Sequence, residues 1–429
     1  MRKIVVMKPH EWLTEASLKQ SNSTAQAALE SEAFFQGAKV IKHNYPIKVP
    51  IASTRVMVDE LSDGMLEATS DGSFSSQTGH SYSIPIEFDN EEAEQAFIEQ
   101  NAADVEGVFT DCEIGLFDTV CPTGAIGDHH DVLNHLNIQN LHAGGGRGQG
   151  VKIVVVDTGI DGTQINVAGG YNPRPGVSPG SAGPDHGTMV AFDALIAAPN
   201  AMIFDYALLQ SSGTSWVGFL SDAIRAFAEI MVDHLQNPGP RVVINSWGMY
   251  DTDADAPVGN PQNYSRNPQH PFNQIVGALT GSGADVVFAA GNCGSTCPDN
   301  RCGANNRAPG NSIVGANSHP DVICVAAVTN DDDLLGYSSE GPGGLSAQTP
   351  DISGFSHFIG SGVFPFDSGT SAACPVVGGV VAALRSTSDL RNLNPAQMKA
   401  RLLNSARSIH GTGWSPQYGW GIVDADSTM

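Results

Sequence analysis

Cations are scarce in this chain. It sets 21 Lys and Arg against 45 Asp and Glu, a formal charge of −24 over 429 residues, and a surface of that sign repels phosphate backbones and anionic membrane surfaces. No nucleic acid and no membrane partner is therefore expected; the acidity suits solubility, a saline medium or bound cations without choosing among them. Long apolar runs are lacking too. None approaches the roughly 20 residues that a membrane-spanning helix requires, and the run after Pro375 stops at Arg385. In the opening MRKIVVMKPHEW the apolar segment is only Ile4 to Met7, with Lys8 and Pro9 at once behind it, too short for the core of a signal peptide. With no export signal in view the expected location is cytoplasmic, secretion by another route staying open. Cysteine is sparse and odd in number: Cys112, Cys121, Cys293, Cys297, Cys302, Cys324 and Cys374 leave at least one thiol unpaired, and a chain this long folds without staples.

What is there is an ordinary folded composition, 41% hydrophobic, long enough for one large domain and a smaller one. From about Val151 onward, short apolar runs alternate with helical patterns. VKIVVVD, AMIFDYALL, RVVINSW, DVVFAAGN and DVICVAAV read as strands buried on both faces, bounded by Gly, Pro and Asp. Between them SDAIRAFAEIMVDHL opens with a capping Ser221, FNQIVGALTG is a shorter helix, and NPAQMKARLLNSARSI starts with Asn394 as cap and Pro395 at the first helical position. Strand and helix in repeated alternation predict an α/β fold with a doubly wound, mostly parallel sheet.

Residues 1–120 read differently. SYSIPIEF, DNEEAEQAFIEQ and DVEGVFTD make a strand, an amphipathic helix with acids in its first turn, and another strand: a small N-terminal α+β module. Its first 50 residues are less readable, and Thr69 to Ser81 forms a polar loop. GGGRGQG before the first strand is a flexible turn rather than a phosphate loop, which would follow a strand, open a helix and carry Gly-Lys-Ser/Thr.

Three short motifs carry chemistry. VVVDTGID puts Asp157 at the carboxyl end of a buried strand, DHGT contains His186, and SGTSAACP contains Ser371 at the mouth of a helix; strand ends on that edge are where open α/β sheets place ligand sites. Singly, each has a plainer reading: a turn-capping Asp, a structural His, an N-cap Ser. Jointly, the order Asp, His, Ser is one of the known chain orders for a nucleophilic triad. With VVFAAGN ending in Asn292, these motifs make the chain resemble a subtilisin-like serine peptidase, of the subtilase family, from about Ile126 to Asp424.

The resemblance implies a peptidase domain over 126–429, an N-terminal inhibitor-like pro-domain, and a serine endopeptidase acting on polypeptide substrate. A serine hydroxyl is a poor nucleophile at neutral pH, so Ser371 needs His186 as base, with Asp157 fixing the imidazole tautomer. Asn292 and the backbone N–H of Ser371 would receive the oxyanion. Substrate would add as a strand beside Ser246, Trp247 and Gly248, with Ala289, Ala290 and Gly291 lining one wall of the specificity pocket; plain core packing is the other reading of Trp247. The module would feed its tail into the cleft as an intramolecular inhibitor and be cut between about Phe117 and Ile126, or stay attached as a partner-binding domain. No cofactor is required by this chemistry, and calcium stays open and unassigned: Asp251, Asp253 and Asp255 begin like a calcium loop, but Ala256 and Gln262 stand where that motif needs Gly and Glu.

Departures from the family pattern are Met189, where a second His is frequent, Ala372, where Met is frequent, and CGSTCPDNRCG straight after Asn292. The first two bear on substrate preference, not on the reaction. The third is read as a local disulfide or thiols clamping the loop rather than a metal knuckle, for want of a fourth ligand. The rival from another class is a catalytically silent peptide-binding scaffold, which has no need of all four site residues. A serine-carboxyl peptidase would put Glu where His186 stands and Asp in the oxyanion position.

Overall fold

Seven short strands make the larger sheet, most of them buried along their length. The computed structural model describes residues 1–8, 38–41, 47–50, 67–68, 74–75, 80–116, 124–173, 176–209, 217–409, 411 and 413–429. They divide into two compact units, one of residues 1–113, 219–237 and 254–282, the other of residues 114–218, 238–253 and 283–429. Two segments that lie within the 126–429 stretch, 219–237 and 254–282, thus group with the N-terminal residues.

In the larger unit the strands are β9 (Lys152–Asp157), β10 (Val167–Tyr171), β11 (Met202–Ala207), β13 (Arg241–Asn245), β15 (Asp285–Ala289), β16 (Ile323–Val328) and β17 (Ile352–Phe355). They stand in the order β10-β11-β9-β13-β15-β16-β17, and every neighbouring pair is parallel. Starting from β9 and building outward in both directions is the doubly wound pattern, with a switch of direction beside β9. Two of the strands carry no strong sequence signal: β10 is VAGGY, with two glycines, and β17 is four residues long.

Helices of this unit are α2 (His129–His135), α3 (Gln139–Ala143), α4 (His186–Ala197), α7 (Thr370–Arg385), α8 (Pro395–Asn404) and α9 (Ala425–Thr428). Every residue of α7 is buried. Small residues make that possible: a Cβ on Gly378 would come within 2.7 Å of Ile244, and one on Gly379 within 2.2 Å of the Ala194 carbonyl oxygen. The helix therefore runs between β13 and α4 with backbone in contact on both sides. Asn394 caps α8 by accepting from Gln397 N–H at 2.9 Å, with Pro395 at the first position, as its sequence predicts. The glycine stretch before β9 is a packed turn: Gly148 N–H donates to Ser386 Oγ at 3.0 Å, and Gly150 has φ +70.

The other unit holds β1 (Arg2–Met7), β2 (Lys39–Val40), β3 (Ile47–Pro50), β6 (His80–Glu87), α1 (Glu91–Gln100) and β7 (Val105–Thr110), with the small pair β4 (Glu67–Ala68) and β5 (Phe74–Ser75). The order β2-β6-β1-β7 is antiparallel, so the N-terminal apolar run, too short for a signal peptide, is a central strand. Asn90 caps α1, accepting from Ala93 N–H at 2.8 Å. Phe97 of α1 packs with Val5, Met7, Tyr82, Ile84, Ile86 and Val108 in one core. Also in this unit are α5 (Leu220–Gln236), which follows β12 (Val217–Phe219), and α6 (Pro271–Gly281); both lie against β3.

The start of α5 corrects the expected cap. Ser221 lies inside the first turn, and Phe219 at the cap position makes no side-chain hydrogen bond. A distant carboxylate does the work: Asp111 accepts from Ser221 N–H at 2.9 Å and from Ser221 Oγ at 2.8 Å. Asp111 also pairs with Arg2, whose guanidinium stacks 3.7 Å over the Phe219 ring. Most of the polar loop expected over Thr69 to Ser81 and of the cut region expected between Phe117 and Ile126 lies outside the described residues.

Candidate active site

At the carboxyl end of β9 the chain delivers Asp157, and α4 begins with His186. Asp157 Oδ1 lies 2.8 Å from His186 Nδ1, with both residues all but buried. Asp157 Oδ1 accepts from Thr158 N–H at 2.7 Å as well, and Gly187 N–H donates to Thr158 Oγ at 2.9 Å, tying the start of α4 to the strand end. Glycine is required after the histidine, because a Cβ on Gly187 would lie 2.5 Å from the Gly159 carbonyl oxygen. Asp185 caps α4 by accepting His186 N–H at 2.7 Å.

Ser371 is the second residue of α7, behind Gly369, whose φ of +76 suits glycine alone, and Thr370. Its Oγ donates to the Ser246 carbonyl at 3.1 Å, and Ser246 Oγ donates back to the Ser371 carbonyl at 3.0 Å. The second bond follows from Pro375, which sits in the sixth position of α7, past the first turn where a missing N–H costs nothing. Having no N–H, it leaves the carbonyl four residues back, that of Ser371, without its helical donor, and Ser246 Oγ supplies one. Helix α7 is thereby stitched to the segment that follows β13.

Asn292 is fully buried, and its Oδ1 accepts from both Thr370 N–H and Thr370 Oγ at 2.9 Å. With the carbonyl end of the amide held by the residue before Ser371, the orientation of the NH₂ end is set. Thr370 Oγ in turn accepts Gly291 N–H at 3.1 Å.

Ser246, Trp247 and Gly248 behave as two things at once. The backbone of β14 (Trp247–Gly248) pairs antiparallel with β8 (Glu113–Leu116), Trp247 opposite Leu116 and Gly248 opposite Gly115. Tyr250 Oη donates to the Leu116 carbonyl at 2.9 Å. The Trp247 side chain is core: fully buried, edge-on to Phe288, its Nε1 donating to the Val156 carbonyl at 2.8 Å. Ala289 and Ala290 are buried, Gly291 takes φ +107, and Asn317 Nδ2 donates at 2.9 Å to the carbonyls of both Trp247 and Ala289. Asn317, like Tyr337, Ser339 and Ser356 described below, sits in no motif, so no sequence signal pointed to it.

Cys293 and Cys302 form a disulfide next to Asn292, and Cys297 is disulfide-bonded too. Cys112, Cys324 and Cys374 are buried thiols, and burial pushes that of Cys374 up to about 12, which leaves it inert. The acids of 251–255 are spent on loop closure: Asp251 accepts Asp253 N–H, Asp253 accepts from Asn305, and Asp255 accepts the N–H groups of Ala256, Tyr264 and Ser265. Among the described residues no group of three or more His, Cys, Asp or Glu is placed to hold a metal ion.

A parallel, doubly wound sheet with Asp, His and Ser at the strand ends and helix starts of one unit fits a doubly wound α/β enzyme of the serine-hydrolase class. Residues 148–421 match the Peptidase_S8 model of the subtilase family, and the chain belongs to that family. Similar proteins include an alkaline protease of Alkalihalobacillus alcalophilus, 27% identical over 69% of this chain and 68% of that protein. Subtilisin Savinase of Lederbergia lenta is 26% identical over 69% of this chain and 96% of its own length, and subtilisin E of Bacillus subtilis 25% identical over 69% and 70%. The protein is a serine endopeptidase with the doubly wound subtilisin-type fold.

Proposed function

We propose that Ser371 is the nucleophile, His186 its general base and Asp157 the group that holds His186. The observation that carries the assignment is the buried 2.8 Å contact between Asp157 Oδ1 and His186 Nδ1. It commits the Nδ1 proton to the carboxylate and reserves Nε2 for the proton of Ser371. Ser371 Oγ attacks the peptide carbonyl, its proton passes to His186 and from there to the leaving amine; water then hydrolyses the ester by the same route. The negative oxygen is received by Asn292 Nδ2 and by the Ser371 N–H, one of the first-turn donors that no helical carbonyl can reach. Helix α7 adds its positive end.

Substrate adds as a strand to Ser246-Trp247-Gly248, with Ala289, Ala290 and Gly291 forming a pocket wall. The pairing of β8 with β14 supports this, since it occupies the substrate's backbone partners with a segment of the chain itself. Residues 1–120 are then the intramolecular inhibitor, and the domain that acts spans 126–429. No cofactor enters the reaction, and any calcium would have a structural role. The Cys293–Cys302 bridge speaks for an oxidising compartment, against the cytoplasmic location expected from the N-terminus.

The test is labelling of the purified chain with a fluorophosphonate serine probe. Labelling that disappears in Ser371→Ala is the expected result. An unlabelled parent, both as purified and after trimming near Phe117, would mean a silent scaffold.

A further inference from the structure

Between β16 and β17 the chain passes through Gly336, Tyr337, Ser338 and Ser339, and these four residues grip both sides of Asn292. The Gly336 carbonyl accepts Cys297 N–H at 3.0 Å and the Tyr337 carbonyl accepts Gly294 N–H at 2.8 Å. Ser339 N–H donates to the Gly291 carbonyl at 2.9 Å, and Ser339 Oγ accepts Cys293 N–H at 3.0 Å. The contact leaves no room for a side chain, since a Cβ on Gly294 would lie 2.5 Å from the Gly336 carbonyl oxygen.

From the same segment the Tyr337 side chain reaches the turn that carries Ser371. Its hydroxyl accepts Gly369 N–H at 3.1 Å and lies 3.0 Å from Ser356 Oγ, which is 2.7 Å from the Gly369 carbonyl. The protons can be assigned. A carbonyl only accepts, so the single Ser356 proton goes to Gly369; Tyr337 must then donate to Ser356, which leaves its lone pair for Gly369 N–H. The result is a closed ring around the two polar groups of Gly369, with Tyr337 and Ser356 fully buried. Such a ring has one stable setting, because opening it anywhere leaves a buried donor or acceptor unmet.

We infer that Gly336–Ser339 is a positioning strap that holds the Asn292 segment and the Ser371 turn in register, with the Tyr337 hydroxyl and Ser339 Oγ as its two grips. The inference rests on the reading of Ser371 as nucleophile and Asn292 as oxyanion donor. Neither grip touches a reacting atom. Each acts through the neighbouring backbone, Tyr337 on Gly369 and Ser339 on Cys293, and their job is to keep the oxyanion donor and the nucleophile at one fixed separation, which catalysis by preorganised donors requires.

The experiment compares Tyr337→Phe and Ser339→Ala with the parent in the full chain, through the rate of fluorophosphonate labelling and through amide hydrogen exchange of residues 291–297 and 366–372. Each substitution is expected to slow labelling about tenfold while the fraction that finally labels stays at the parental level, which separates misplacement from partial unfolding. Each should also speed exchange in both segments, the remote one as well as the one it touches. Labelling at the parental rate, or faster exchange confined to the touched segment, would overturn the inference. A parent that labels neither as purified nor after trimming near Phe117 defeats the Ser371 reading instead, and the exchange pattern still judges the strap. Should Tyr337→Phe fail to fold, Ser356→Ala opens the same ring from its other side and is held to the same outcomes.

Discussion

At the scale of single residues the site depends on polar atoms beyond the four residues proposed for the reaction. Thr370 is the clearest case. Its hydroxyl and N–H both hold Asn292 Oδ1, and the hydroxyl also receives Gly291 N–H. Thr370→Val keeps the shape, removes one of the two donors to Asn292 and leaves the Gly291 N–H unmet. A lost bond plus an orphaned donor is worth about 1–3 kcal/mol, so kcat on a peptide substrate should fall roughly tenfold or more, with KM within about twofold; steady-state kinetics check it. If KM carried the loss, Thr370 would act on substrate rather than on Asn292. The motif residues Asp157, His186, Asn292 and Ser371 stood out in the sequence as candidates because each stands in a short string that chemistry constrains. Tyr337, Ser339, Ser356 and Asn317 were not, because an isolated hydroxyl or amide gains its role only from what folds against it.

At the scale of elements, helices α4 and α7 bring His186 and Ser371 to one end of the larger sheet, and a pair of carboxyl groups braces the arrangement. Asp193, two turns after His186, is fully buried and has Asp367, four residues before Ser371, as its carboxyl neighbour. Burial first, and the neighbouring Asp367 second, push the Asp193 carboxyl well above the usual carboxylate range; Asp367, itself raised by burial, accepts from Ser361 N–H and Oγ and lies near His129. A folded pKa raised above the unfolded one stabilises fully below the unfolded value, near pH 4, and the benefit is lost as pH rises towards the folded value, at up to about 1.4 kcal/mol per pH unit. Asp193→Asn keeps the shape of the side chain and removes its titration. In a Ser371→Ala background, which prevents self-digestion, the variant should melt above its parent, with a gap that is wider at pH 8 than at pH 5. A gap independent of pH would mean that Asp193 is ionised in the fold. Elements themselves were legible where apolar runs are long: β9, β11, β13, β15 and β16 fall where the sequence puts them. The start of α5 was not, since its cap comes from Asp111, over a hundred residues earlier.

At the scale of the whole molecule the question is restraint. The pairing of β8 with β14 uses the strand proposed here for substrate, so the chain should process itself or remain closed. Wild type is expected to be isolated shorter than Ser371→Ala, with the new terminus found by mass spectrometry between Phe117 and Ile126; equal lengths would exclude self-processing. The acidic balance, −24 overall, leaves either form expected to ignore nucleic acid.

By itself the sequence determined the class of fold and five of its buried strands, and it singled out the four residues proposed here for the reaction. Those properties are local: a run of branched apolar residues buries itself in a parallel sheet wherever it sits, and a nucleophile motif keeps its string because the turn demands it. Only the tertiary structure decided that a proline frees the Ser371 carbonyl for Ser246, that Tyr337 and Ser356 close a ring on Gly369, and that two buried aspartates become neighbours behind the site. Each joins residues far apart in the chain, and a hydrogen bond is specified by position in space, which no local pattern encodes.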